Sequence, residues 1–424
     1  MIRIVAKTEA GFEPRLRALV DRAAGLPDEI DAAAREIIRQ VRRTGDVAIR
    51  ELTLRYEKRN IEALELSPGD WKSIAARTDQ RTRAALEAAA ARIRTFHEHE
   101  RYESFELRQG DGVRVGLRVA PLGLAGIYVP GGKALYPSTV LMTAIPARVA
   151  GVREIIMTTP GPSPETLAAA QIAGVDRVFT IGGAQAIAAM AYGTQSVPRV
   201  DIIVGPGNAY VAAAKRLVFG DVGIDAIAGP TEIVIAADDS ADPRFLAADL
   251  LAQAEHDELA VPILITVGRA LADRVVAALA DQLVSLPKKA IAEKSLSEQG
   301  AILVVDTTAE AIEVMNRLAP EHAELALRDA RAWSEKVTTA GALFLGHHTP
   351  ESVGDYFAGP SHVLPTAGSA RFASPLGVAD FVKRTSIIEY DASALRAQAA
   401  DIERLATVEG LDGHARAVSV RFSK

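Results

Sequence analysis

The chain has 424 residues, a formal net charge of −6 and no cysteine, with 49% of its residues apolar and 24% charged. That length is past the size at which one core stops growing, so two or three domains are expected, and the negative balance speaks against a general nucleic-acid or anionic-membrane partner. Without cysteine there are no disulfides, thiolate nucleophiles or thiolate metal sites, and any metal must be held by nitrogen and oxygen.

The opening residues, MIRIVAKTEAGFEPR, contain no sustained apolar core, so no signal peptide is expected and the chain is read as cytoplasmic. Helical periodicity runs over 31–43 and 46–56, with Gly45 as the break, and over a longer Ala-, Arg- and Glu-rich stretch, 79–103. His97 and His99 alternate there with Glu98 and Glu100 and read as a solvated helix end. Residues 1–110 are thus expected to form a helical, mostly structural segment.

Alternation of Val113, Val115, Leu117 and Val119 marks a strand or hairpin over 110–121. Strand-like Ile127, Tyr128 and Val129 then lead into Pro130-Gly131-Gly132 and a helix. The same order of strand, Gly-rich turn and helix recurs at Gly182-Gly183 and at Gly205-Pro206-Gly207-Asn208, which predicts a doubly wound α/β domain over 111–230. Gly205-Pro206-Gly207 begins like a dinucleotide fingerprint but has Tyr210 at the sixth position, and Lys133 is followed by Ala134, so no P-loop is present. These turns fit a nucleotide site and plain tight connections equally well.

Residues 228–258 read as a turn at Gly229-Pro230, a buried parallel strand over 233–237, and a helix capped by Asp242 with Pro243 at its first position. Leu246, Leu250 and Ala254 make its apolar stripe. Asp249, Gln253 and His256 share another face, and the strand-to-helix order predicts that they lie at the carboxyl edge of the sheet. Strands over 262–267, 301–305 and 341–345 alternate with helices over 269–286 and 308–318, giving a second α/β domain over 231–384. Residues 350–379 are irregular, rich in Gly, Pro, Ser and Ala, and hold Asp355 and His362, which reads as a functional loop. The tail, 385–424, is expected to be a small arm, helical from 393 to 408 and strand-like in AVSVRF.

The polar groups that stand out beside turns and element ends are Gln253, His256, Glu321, His322, Asp355, His362, Glu409 and His414. Each alone has a structural explanation as a cap, an Asx turn or a surface histidine. His347-His348 reads as a surface pair. No HExxH helix and no Gly-x-Ser-x-Gly elbow occur, so zinc-protease and serine-hydrolase chemistry lack their signatures.

Taken together, GIYVPGGKALYPS, IGGAQAIAAMAYGT, VGPGNAYVAAAKRLVFG, AGPTEI, DLLAQAEH, RLAPEH, GDYFAGPSHVLPT, LGVADFVKRTSII and EGLDGHARAVSVR resemble the histidinol dehydrogenase family, in the family's order over roughly 126–421. The resemblance implies two Rossmann-like α/β domains and a homodimer with shared active sites. It also implies oxidation of L-histidinol to L-histidine through L-histidinal, the last step of histidine biosynthesis, with two NAD reduced and one zinc per subunit. Carried across by motif, Gln253, His256 and Asp355 match zinc ligands, joined by His414 of the partner chain in the family. Glu321 and His322 match the acid/base pair, and Tyr128, Gln185 and Asn208 match NAD contacts. Thr231, His362 and Glu409 match positions facing the substrate, as do Gln253, His256, His322, Asp355 and His414. The family usually has Ser where this chain has Thr231, which keeps the hydroxyl and adds a methyl.

The residue types suit that chemistry. Zinc is redox-inert, so the hydride must pass to a nicotinamide. An imidazole, which ordinarily titrates near neutrality, suits removal of the alcohol proton, and a neighbouring Glu suits activation of water for attack on the aldehyde. A related dehydrogenase acting on another small alcohol, such as a sulfonated diol, is the first rival, and the KRTSII segment and Glu409 favour histidinol over it. A non-enzymatic zinc- or nucleotide-binding role is the second, disfavoured because every catalytic position is filled.

Overall fold

The structure, a computed structural model, describes residues 2–22, 27–110, 112–131 and 135–423, so Gly132 and Lys133 of the first glycine turn lie outside the described residues. Its strands are β1 (Arg3–Ala6), β2 (Glu65–Leu66), β3 (Phe105–Arg108), β4 (Val113–Pro121), β5 (Leu124–Tyr128), β6 (Glu154–Thr158), β7 (Arg177–Phe179), β8 (Ile202–Val204), β9 (Gly223–Ile224), β10 (Glu232–Ala237), β11 (Val261–Val267), β12 (Ala301–Val305), β13 (His322–Ala326), β14 (Ala342–Leu345) and β15 (Val382–Tyr390). The chain divides into one unit formed by Met1–Glu100 and Gly123–Phe381 and another formed by Arg101–Leu122 and Val382–Lys424.

The larger unit holds two six-stranded sheets, ordered β2-β7-β6-β5-β8-β9 and β1-β12-β11-β10-β13-β14. All pairings are parallel except the short β2 against β7. Strand β10 shows why: all six of its residues are buried, with Ile233, Ile235 and Ala237 packed on one face and Val234 and Ala236 on the other. Leu246 and Leu250 of the helix Pro243–Ala254 cover the first face, and Ile312, Met315 and Leu318 of the helix Thr308–Leu318 cover the second. Each such aliphatic side chain contributes about 1.5–3 kcal/mol when fully buried. In the first sheet, Ile37, Ile38, Val41, Ile49 and Leu52 of the N-terminal helices pack with Ile187 and Met190, so that segment covers a sheet face.

Several expectations change. β1, within the stretch read as helical, is the edge strand of the second sheet. The helix predicted over 79–103 ends at Glu98, and His97 is fully buried instead of solvated, with its Nδ1 2.7 Å from Glu100. Glu100 in turn accepts the Val378 N–H at 3.1 Å, so the histidine joins a helix end to a distant loop. β13 was absent from the sequence reading because HAELA carries a buried glutamate inside too short an apolar run.

In the smaller unit β15, β4 and β3 form an antiparallel sheet, followed by the helices Ala392–Val408 and Asp412–Ser419. The strand expected at AVSVRF is instead the end of the second of these helices, Ala417 to Ser419, followed by a turn. A short alternating run cannot be told from one helical turn by period alone, and Asp412 in the first turn with Arg416 in the last complements a helix dipole. Among the described residues no helix is long and apolar enough to cross a membrane.

Candidate active site

The helix Pro243–Ala254 starts where the sequence places it, with Asp242 accepting the Arg244 N–H and Pro243 in its first turn. It runs back along β10, so its last turn returns to the amino edge of the second sheet, not the carboxyl edge expected from the strand-to-helix order. β10 and β13 are neighbours with Ile233 opposite His322, which brings Thr231 and Glu232 beside Glu321 at that edge. The chain enters β13 through Ala319, a left-handed residue (φ 46°) that ends the preceding helix. A non-glycine residue held there costs roughly 1–2 kcal/mol, strain placed next to Glu321 and His322.

Glu232 is 1% exposed and organises this edge. It forms a buried ion pair with Arg22, and its Oε1 also accepts the N–H groups of Glu321 at 3.2 Å and Ala367 at 3.1 Å. Its backbone carbonyl accepts from His322 Nδ1 at 3.0 Å. With Nδ1 as the donor, the lone pair of His322 is on Nε2, which is buried without a hydrogen-bond partner and lies 3.9 Å from Asp355 Oδ1.

Glu321 Oε2 accepts from the Thr231 hydroxyl at 2.7 Å and the Glu232 N–H at 2.9 Å. Burial holds the Glu321 carboxyl well above the ordinary range, against the pull of those two donors. Glu351 and Asp355 come from the helix Glu351–Tyr356, four residues apart on one face, inside the stretch read as an irregular loop. Burial pushes Glu351 up to about 8.

Gln253 is fully buried between Glu351 and Thr231. Against an ionised Glu351 its nitrogen turns to that carboxylate at 2.9 and 3.0 Å. Against a protonated Glu351 the nitrogen turns to Thr231 Oγ1 at 2.9 Å, leaving the hydroxyl proton for Glu321.

A cavity of about 670 Å³ opens onto these groups. Thr231, His256, Glu321, His322, Glu351, Asp355 and His362 line it, opposite Gly205 and Pro206 from the carboxyl end of β8 in the first sheet and Leu86, Leu141 and Met142 from helices beside it. His362 donates from Nδ1 to the Asp355 carbonyl at 2.9 Å, and its Nε2 is 3.3 Å from Thr139 Oγ1. Burial lowers both His256 and His362, keeping the imidazoles neutral and able to act as ligands. The side chains of His322, Glu351 and Asp355 also bring ligand atoms within 4.8 Å of one another. Clustered carboxyls and neutral imidazoles are a donor set that suits a borderline dication.

The expected cofactor contacts sit along the carboxyl edge of the first sheet. Tyr128 and Gln185 are buried, the tyrosine hydroxyl accepting the Gly183 N–H at 3.1 Å and pushed up to about 12 by burial. Asn208 caps the helix Ala209–Val218, its Oδ1 accepting from Tyr210 and Val211. The buried pair Lys215–Asp225 clamps the adjoining turn, Lys215 donating to the Gly205 carbonyl at 3.0 Å and Asp225 accepting the Gly205 N–H at 2.7 Å. Glu409 and His414 belong to the smaller unit and are exposed.

Sequence reasoning missed Glu232 and Glu351. A lone glutamate opening the apolar run EIVIAA, and another following Pro350, were the available signals.

The family model for histidinol dehydrogenase matches residues 21–422. The histidinol dehydrogenase of Ralstonia nicotianae is 50% identical over all of this chain and 98% of its own length. That of Nitrosomonas europaea is 48% identical over 99% of each. The crystal structure of histidinol dehydrogenase from Elizabethkingia anophelis superposes with a TM-score of 0.93 at 32% identity, covering 99% of this chain and 98% of that one. With the family model matching residues 21–422 and relatives about half identical over nearly the full length, the chain belongs to the histidinol dehydrogenase family.

Proposed function

We propose that this chain is the enzyme that oxidises L-histidinol to L-histidine through L-histidinal, in the cytoplasm, reducing two NAD and using one zinc per subunit. The observation that carries the reading is His322, with Nδ1 committed to a backbone carbonyl and a free, buried Nε2 at the cavity beside Glu321.

His256 and Asp355 line the cavity as metal donors, with Gln253 behind them and His414 offered by a second subunit. Nitrogen and oxygen donors of this kind fit zinc. When bound, the metal orients the substrate's amine and imidazole, and NAD takes up the hydride. His322 Nε2 removes the alcohol proton in the first oxidation. Glu321 then takes a proton from water as it attacks the aldehyde carbon, and its elevated carboxyl is, once ionised, a stronger base than an ordinary carboxylate. The same imidazole, having passed its first proton to solvent, accepts the hydroxyl proton of the resulting hydrate in the second oxidation. Burial of Glu321 and His322 keeps bulk water from the reacting groups. Tyr128, Gln185 and Asn208 are assigned to NAD, and Thr231, His362 and Glu409 to the substrate.

A panel of small alcohols with NAD tests the assignment. Reduction of NAD with L-histidinol, and not with sulfonated diols, is expected. Turnover of a sulfonated diol with none of histidinol would overturn it.

A further inference from the structure

The helix Asp46–Glu57 lies in the segment that the sequence reads as structural, yet its last residue reaches the turn after β7. Glu57 Oε1 accepts the Gly182 N–H at 3.2 Å and the Gln185 side-chain amide at 3.3 Å. Its Oε2 accepts from Arg59 Nε at 3.0 Å and also from Arg59 Nη2. Arg59 is itself fixed by a 2.9 Å bond to the Thr180 carbonyl.

The turn is glycine because both side chains occupy it. A Cβ on Gly182 would lie 3.1 Å from Glu57 Oε1 and 2.8 Å from the Pro160 ring. On Gly183, whose φ is +64°, a Cβ would lie 2.7 Å from Gln185 Oε1. A carboxylate paired with arginine only accepts, so the Gln185 amide must turn its nitrogen to Glu57. Its oxygen is thereby left over the Gly183 backbone, beside the hydroxyl of Tyr128, which holds the Gly183 N–H.

We propose that Glu57, with Arg59 as its countercharge, is a positioning residue for the nicotinamide cofactor, fixing the Gln185 amide so that its oxygen, not its nitrogen, meets the donor groups of the ligand. The proposal rests on the assignment of Gln185 to NAD. Glu57 touches no reacting atom. Its loss therefore weakens cofactor binding and leaves the chemical step alone.

Glu57→Gln is close to isosteric and keeps an acceptor for Gly182, but lets the Gln185 amide take either orientation. NAD KM and the NADH Kd from fluorescence titration should both rise about tenfold, the scale of one lost hydrogen bond to a charged group. The kcat at saturating NAD and the KM for histidinol should stay within about twofold. Arg59→Met, which leaves the carboxylate and removes its countercharge, should weaken NADH in the same direction and serves if the first variant does not fold. Gln185→Ala separates the two assignments. If it binds NADH normally, the assignment of Gln185 to the cofactor is wrong, and with it this proposal. If it weakens NADH while Glu57→Gln and Arg59→Met bind normally, only the positioning role is overturned. A fall in kcat at unchanged NADH affinity would also overturn it.

Discussion

His322 Nδ1 lies 3.0 Å from the backbone carbonyl of Glu232, and that bond leaves Nε2 as the imidazole nitrogen with the free lone pair. Because a backbone carbonyl can only accept, Nδ1 carries the proton, and the Glu321 and Glu351 carboxyls 3.6 and 3.5 Å from it favour the same tautomer.

Replacement of the base is the simplest consequence. His322→Asn should lower turnover by about a hundredfold or more, the contribution expected of a general base, while zinc content measured by atomic absorption stays intact. Near wild-type turnover in a zinc-replete variant would remove His322 from the proton path.

Thr231 sits between Gln253 and Glu321, and its hydroxyl opposes the upward push of burial on the Glu321 carboxyl. Thr231→Val removes that donor, so Glu321 should need higher pH to ionise. The ascending limb of the pH profile for oxidation of supplied histidinal should move to higher pH in this variant and stay in place in Thr231→Ser. An unmoved limb in both would separate Glu321 from the hydration step.

Asp249 and Glu324 form a buried carboxyl pair that the mechanism does not use, and burial pushes Asp249 up to about 6. A carboxyl raised on folding binds its proton more tightly in the folded state. It therefore stabilises most below the unfolded value and loses that contribution as pH rises to about 6. Asp249→Asn carries no such loss. Its unfolding free energy relative to wild type, from denaturant melts, should improve between pH 4.5 and pH 7.5 by a difference on the order of 1–3 kcal/mol. A pH-independent difference would show that Asp249 holds its proton no more tightly in the folded state than in the unfolded chain.

Much of this architecture is legible in residue order. The helix cap at Asp242-Pro243, the apolar β10 and the glycine turns each declare themselves through local chemistry. The edge of the sheet at which the site forms does not, since it depends on where a helix ends relative to a strand far along the chain. Gln253 and Thr231 are 22 residues apart, and Thr231 and Glu321 are 90 apart. Glu351 was hidden because a six-residue helix has too little length to show a period. Strand β13 was hidden by its buried glutamate, and the Gln253, His256, Asp355 and His414 set came from family resemblance, since glutamine is an atypical zinc ligand.

The shared-site assignment makes its own prediction. If His414 completes a neighbour's site, a Gln253→Ala, His256→Ala chain mixed with a His414→Ala chain should regain activity, because hybrid dimers hold one intact site. Half the dimers are hybrids at equal mixing and free exchange, so about a quarter of wild-type activity is the upper expectation. Verified hybrids that remain inactive would show that the tail serves its own subunit.

The central claim is that one site carries histidinol through two successive oxidations, with His322 and Glu321 dividing the proton transfers. The direct measurement is the ratio of NADH formed to L-histidinol consumed, followed to completion with an aldehyde trap present. The account predicts two NADH per histidinol, L-histidine as product and no trapped aldehyde. One NADH per histidinol, with L-histidinal recovered in the trap, would contradict it.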